Sequence, residues 1–146
     1  MNHDSYSDDY LAGILSRVNT IAVVGASNKP SRPSYGVMQF LLDKGYIVTP
    51  VNPGLEGQEI LGCHVYATLD DIPGPVDMVD VFRNSEAALE VARDAIRAKA
   101  RHGISVLWMQ LGVRNDKAAA EAEAAGLEVV MNRCPVIEHR RLSLER

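Results

Sequence analysis

Five consecutive residues, Gly25, Ala26, Ser27, Asn28 and Lys29, carry the clearest chemistry in the chain. They follow an apolar, largely β-branched run, Thr20-Ile21-Ala22-Val23-Val24, and precede a helix-like segment that opens at Ser34. A strand, a tight loop and a helix N-terminus in that order form the layout with which α/β proteins hold nucleotide phosphates. Backbone N–H groups and the positive end of the helix dipole converge there on one spot. Gly25 leaves room for an anion to approach the backbone, Ser27 can donate its hydroxyl proton, and Lys29 and Arg32 can neutralise phosphate oxygens. The plainer reading of Gly25 is a tight strand-to-helix turn. Pro30 and Pro33 stiffen the loop, and Tyr35-Gly36 opens the helix. Gly36 either lets a ligand lie against the helix end or lets the helix pack closely on the sheet.

Two familiar nucleotide motifs are missing. A dinucleotide loop reads Gly-x-Gly-x-x-Gly, with an acid at the tip of the second strand for the ribose. Here position 27 is Ser, position 30 is Pro, and the second strand ends in Thr49-Pro50-Val51-Asn52-Pro53. No Gly-Lys-Ser/Thr phosphate loop occurs either. Catalytic groups are scattered. His64, His102 and His139 lie far apart in sequence, and His3 is expected in an unanchored leading tail. Glu138-His139 and Trp108 read as structural, Asp70-Asp71 as a turn cap before Ile72-Pro73, and Arg140-Arg141 as a solvated face.

Positioning the loop requires alternating strands and helices. Leu11, Ile14, Leu15 and Val18 place a short helix over 9–18. Strands are expected over 20–25, 46–51, 76–82, 104–110 and 127–132, with a short one near Cys63 to Tyr66. Between them, Ser34 caps a helix to Lys44, Asn84 caps one to about Arg101, and Asn115 caps an alanine-rich one that stops at Gly126. Most strands are continuous apolar runs, which implies a parallel sheet buried on both faces. The fold class is therefore α/β, a single doubly wound, Rossmann-like sheet with helices on both faces, in the expected strand order 3-2-1-4-5. Ligands of such sheets bind beyond the carboxyl ends of the strands. Those ends are Gly25 to Ser34, Asn52-Pro53, Phe82-Arg83-Asn84, Gln110-Leu111-Gly112 and Asn132-Arg133-Cys134.

The bulk numbers agree with one domain. The chain has 146 residues, 47% hydrophobic and 23% charged, with net charge −4. We expect a tail and short helix over 1–19, then a domain over 20–146. No basic stripe points to nucleic acid, and no apolar run approaches membrane-spanning length. Two cysteines make neither a disulfide framework nor a metal site, which suits a cytoplasmic protein with reduced thiols.

Several segments together resemble the stand-alone CoA-binding domain family, which is similar to the CoA-binding domain of succinyl-CoA synthetase α subunits and of ADP-forming acyl-CoA synthetases. They are Val23-Val24-Gly25-Ala26-Ser27, Val51-Asn52-Pro53 with Glu59-Ile60-Leu61-Gly62, and Val65-Tyr66 with Asp71-Ile72-Pro73. Val79-Asp80-Val81-Phe82-Arg83, Trp108-Met109-Gln110-Leu111-Gly112 and Asn132-Arg133-Cys134 with Glu138-His139 complete the set. The resemblance implies CoA or acyl-CoA as ligand. It implies that the Gly25–Lys29 loop and Arg32 meet the CoA phosphates, that Asn52-Pro53 and Phe82-Arg83 line the cleft, and that Gln110 to Gly112 flank the pantetheine arm. One position departs from the synthetase pattern. Its lysine after the second strand, in Thr-Pro-Gly-Lys, is replaced in the run Asn52-Pro53-Gly54-Leu55, so Lys29, Arg32 or Arg83 must serve instead. The phosphorylated histidine of the synthetases belongs to a domain with no counterpart in this sequence. Cys134 reads as a small buried hydrophobe before Pro135; the alternative is a thiol that meets the CoA thiol. The sequence favours a binding module over an enzyme. An NAD(P)-using oxidoreductase, a partner-dependent CoA transferase or ligase component, and a ligand-free interaction module stay open, as does any homo-oligomer.

Overall fold

The computed structural model describes residues 1–145; Arg146, part of the expected 20–146 domain, lies outside the described residues. In chain order the elements are α1 (Asp8–Arg17), β1 (Thr20–Val24), α2 (Pro33–Asp43), β2 (Ile47–Val51), β3 (Glu59–Ile60) and β4 (Cys63–His64). They continue with β5 (Met78–Val81), α3 (Ala88–His102), β6 (Val106–Met109), α4 (Asp116–Ala124), β7 (Glu128–Val130) and α5 (Pro135–Arg141). Among the described residues, β2, β1, β5, β6 and β7 form, in that order, one all-parallel sheet. The Rossmann-like α/β class stands. Every residue of β1, β5 and β6 is buried. One face of these strands packs Ala22, Val24, Val79, Val81, Leu107 and Met109 against α3 and α4. The other packs Ile21, Val23, Met78, Val106 and Trp108 toward α1, α2 and α5.

The strand order differs from the expectation. The third main strand, β5, lies beside β1 rather than outside β2, so the main strands run 2-1-3-4-5. The cause is the connection after β2. Tyr66 bridges Val51 in parallel on the open side of β2. Its carbonyl accepts from Asn52 N at 2.9 Å, and its own N–H donates to Pro50 O at 3.1 Å. That edge is occupied before the chain reaches Met78, and the free edge of β1 takes β5. The segment near Cys63 forms β4, an antiparallel partner of β3. The switch point, where connections diverge to opposite sides, thus falls between β1 and β5.

Two helix starts also differ. Ser34 lies inside α2, because Pro33, with its fixed φ and no N–H, takes the first helical position and Arg32 becomes the cap. Asn84 accepts from Ala87 N at 2.8 Å and caps a turn ahead of α3, which begins at Ala88. Asn115 caps α4 as expected, accepting from Ala118 N.

The leading residues are anchored on the sheet. His3 is only 8% exposed, with its ring nitrogens 2.7 Å from Tyr6 Oη and 2.9 Å from Glu123 Oε1. The expected loose tail is wrong here, because the tyrosines beside it complete the edge of β7. The Tyr10 hydroxyl donates to Val129 O at 2.8 Å and accepts from Val129 N at 3.1 Å, while Tyr6 accepts from Met131 N at 2.8 Å. Arg141 is likewise engaged, pairing with Asp8 at 2.9 Å and Glu138 at 3.1 Å. Arg140 lies over the Phe40 ring. Trp108 is fully buried and donates from Nε1 to Arg133 O at 2.9 Å.

Asp80 is the exception in the core. It stands in β5 in register with Val23 and Trp108, fully buried, and both its carboxyl oxygens lack a hydrogen-bond partner among the described residues. Burial pushes its carboxyl well above the ordinary 3.8, so the sheet favours the neutral acid.

Candidate functional site

The site begins where β1 stops. Gly25 has φ +90°, and a Cβ built there would lie 2.6 Å from the Phe82 carbonyl oxygen. Its own chain, crossing from β5, therefore demands the glycine. Gly25 N and Ala26 N both point at Val51 O, at 2.9 and 3.4 Å, which binds the loop to the end of β2. Asn52 adds a second tie: its Nδ2 donates to Ala26 O at 2.8 Å, and its Oδ1 accepts from Gly54 N at 2.9 Å. Within the loop, Ser27 N donates to Ser34 Oγ at 3.0 Å, and Lys29 N donates to Ser27 Oγ at 3.1 Å. The Ser27 hydroxyl thus accepts from its own loop and keeps its proton to donate elsewhere.

Two adjoining cavities open at this end of the sheet. The first holds about 540 Å³ and is walled by Gly25–Ser27, Lys29, Arg32–Ser34, Asn52, Phe82, Arg83, Gln110, Leu111 and Val113. The second holds about 580 Å³ and shares Gly25, Asn52, Phe82 and Arg83 with it. It runs between the end of β2 and α3, over Val51, Pro53, Leu69 and Val91, with Glu90 and Asp94 on its wall.

The electrostatics of the first cavity are one-sided. Among the described residues, no carboxylate, histidine or cysteine lines it. Lys29, Arg32 and Arg83 carry no ion pair, side-chain hydrogen bond or ring contact among the described residues. Elsewhere Arg93, Arg114 and Arg141 are paired with carboxylates, and Lys44, Arg133 and Arg140 lie over rings. The helix that abuts the cavity is also distinct. α1, α3, α4 and α5 each carry an acidic residue in the first turn, and α2 carries none. The positive end of the α2 dipole is left uncompensated beside three free cations. Gln110 supplies the opposite polarity at the far wall. It is 8% exposed, and its Oε1 has no hydrogen-bond partner among the described residues. A buried carbonyl in that state favours a ligand that brings an N–H or O–H.

The expected residues divide accordingly. Gly25, Ala26, Ser27, Lys29, Arg32, Asn52, Phe82, Arg83 and Gln110 converge on the first cavity, and Pro53 lies on the second. Asn28, Tyr35, Gly36, Gly112 and Cys134 line neither. Gly36 is exposed, and a Cβ there would meet nothing within 4 Å, so close helix–sheet packing does not explain it. Gly112, at φ +88°, donates its N–H to Asn132 Oδ1 at 2.7 Å. Cys134 is a free thiol buried in the apolar cluster with Trp108 and Val130. Sequence reasoning missed Val113 and the α3 wall of Glu90, Val91 and Asp94. The one signal for that wall was the four-residue spacing of Glu90 and Asp94, which puts both on one helix face.

The comparisons with known proteins point the same way. A family model described as a CoA binding domain matches residues 19–140. The uncharacterized protein YneT of Bacillus subtilis is 38% identical over 126 residues, covering 86% of this chain and 89% of that protein. A hypothetical protein from Pyrococcus horikoshii OT3 superposes with a TM-score of 0.88 at 40% identity, covering 99% of this chain and 97% of that one. The dinucleotide-forming acetyl-coenzyme A synthetase 1 of Ca. Korarchaeum cryptofilum superposes with a TM-score of 0.64 at 26% identity. That match covers 78% of this chain and 26% of the synthetase chain.

Proposed function

The chain belongs to the CoA binding domain family, and on that premise we propose that its cleft binds CoA or an acyl-CoA, as a module without catalytic groups of its own. The carrying observation is the meeting of three unpaired cations, Lys29, Arg32 and Arg83, with the acid-free N-terminus of α2 around a carboxylate-free cavity. A diphosphate fits that place, held by the Ser27 hydroxyl, the helix dipole and two or three charges. The adenosine would lie over Val51, Pro53 and Val91 in the second cavity, and the pantetheine arm would run past Leu111 and Val113. An amide N–H of the arm would then meet Gln110 Oε1. The non-catalytic reading is supported by the lining of the first cavity, in which no carboxylate, histidine or thiol stands among the described residues. An NAD(P) reading lacks a carboxylate at the tip of β2, where the Asn52 amide is already engaged on Ala26 and Gly54. A cytoplasmic location is part of the proposal and is supported by the free thiols of Cys63 and Cys134.

The test is native mass spectrometry of the purified protein, followed by calorimetric titration with CoA and NAD. Retained CoA, or micromolar CoA affinity with NAD silent, is the expected result. NAD binding without CoA overturns it. Arg32→Ala and Ser27→Ala should each weaken CoA binding without unfolding the protein, the former by about 10- to 100-fold, as suits the loss of one charge-assisted hydrogen bond. Unchanged affinity in both variants would put the phosphates elsewhere.

A further inference from the structure

Among the described residues, Arg83 is the single cation that lines both cavities; Lys29 and Arg32 line only the first. It follows Phe82 at the carboxyl end of β5. Its Cδ lies 3.2 Å from the place a Cβ on Gly25 would take, so its stem rests on the loop at the switch point. Two carboxylates, Glu90 and Asp94, stand on the second cavity with it, and neither pairs with it. Asp94 is bonded to Arg97 instead, and Glu90 stays without an ion pair among the described residues.

These placements bear on which nucleotide the cleft selects. The diphosphate bridge of CoA carries two negative charges, and Lys29 and Arg32 match them within the first cavity. CoA carries one more phosphate, on the ribose of its adenosine, the part assigned to the second cavity. Among the described residues, Arg83 is the only positive side chain on the wall of that cavity. We propose that Arg83 is the residue by which the cleft selects a ribose-phosphorylated nucleotide, CoA, over the same molecule lacking that phosphate. The inference rests on the CoA-binding reading and adds to it a specificity. The guanidinium fork can give two N–H donors to phosphate oxygens. Glu90 acts as the counterweight: without Arg83, a carboxylate would face the ribose phosphate uncompensated.

Calorimetric titration of CoA and of dephospho-CoA into the full chain tests this, with Arg83→Gln, Arg83→Lys and Arg32→Gln alongside. The unaltered protein should bind CoA about tenfold or more tightly than dephospho-CoA, the scale of one charge-assisted hydrogen bond. Arg83→Gln should bring the two affinities level or invert them, because CoA loses more affinity than dephospho-CoA does. Arg83→Lys, which keeps the charge and loses the fork, should fall between. Arg32→Gln should weaken both compounds by a similar factor. Equal binding of the two compounds by the unaltered protein, or an unchanged ratio in Arg83→Gln, overturns the assignment while leaving CoA binding intact. Binding of neither compound by the unaltered protein overturns the CoA reading and the assignment with it.

Discussion

A methyl group at position 25 would meet the Phe82 carbonyl at 2.6 Å while the backbone holds φ at +90°, so strain and clash add there. Gly25→Ala should cost about 2–4 kcal/mol of stability, read from chemical denaturation. A loss below about 1 kcal/mol would mean that the loop swings clear of Phe82 at little cost. Ligand affinity is a poor test of this residue, since the clash is internal. Most of the site was legible residue by residue. Gly25, Ser27, Lys29 and Arg32 sit in one short loop, and the ends of strands had to gather beside it. The acidic wall of Glu90 and Asp94 was not legible, because it arrives from α3, more than sixty residues along the chain from the loop, and no local pattern marks a helix face as a cavity wall.

At the scale of the elements, β5 carries the most consequential departure from an apolar strand. The Asp80 carboxyl ordinarily titrates near 3.8, and burial raises it. Where the folded value exceeds the unfolded one, stability is fully present below the unfolded value and is lost as pH rises through the folded one. While the unfolded chain is ionised and the folded chain is protonated, the loss is about 1.4 kcal/mol per pH unit. Asp80→Asn removes this slope. Thermal melts followed by circular dichroism should show the original protein losing more stability than the variant between about pH 5 and about pH 8. Parallel profiles would show that the folded protein already carries this carboxyl ionised across that window. The strands themselves were legible as continuous apolar runs, yet their order was not. Periodicity reports burial and not neighbours, and the 3-2-1-4-5 expectation failed on the single bridge of Tyr66 to Val51 that occupies the edge of β2. The helix ends failed at Pro33 for a comparable reason. Its ring claims the first helical position and moves Ser34 from cap to loop tether.

Over the whole molecule, charge is divided between a negative total and a positive cleft. The net charge is −4, while Lys29, Arg32 and Arg83 gather on a cavity without carboxylates. The total charge repels an anionic nucleotide at long range, and the three cations attract it more strongly at short range, so added salt removes more attraction than repulsion. Raising salt from about 0.02 M to about 0.3 M should therefore weaken CoA binding several-fold in a titration series. Affinity that rises with salt would show that the global repulsion outweighs the local contacts. The fold also equips the molecule with an optical reporter. Trp108 is the chain's one tryptophan, sealed from solvent with its indole N–H on Arg133 O, and it lies two residues before Gln110 on the strand that feeds the cleft. Its fluorescence should emit at short wavelength when the chain is folded and shift to longer wavelength on unfolding. The state of this protein can thus be followed by light, with no label attached.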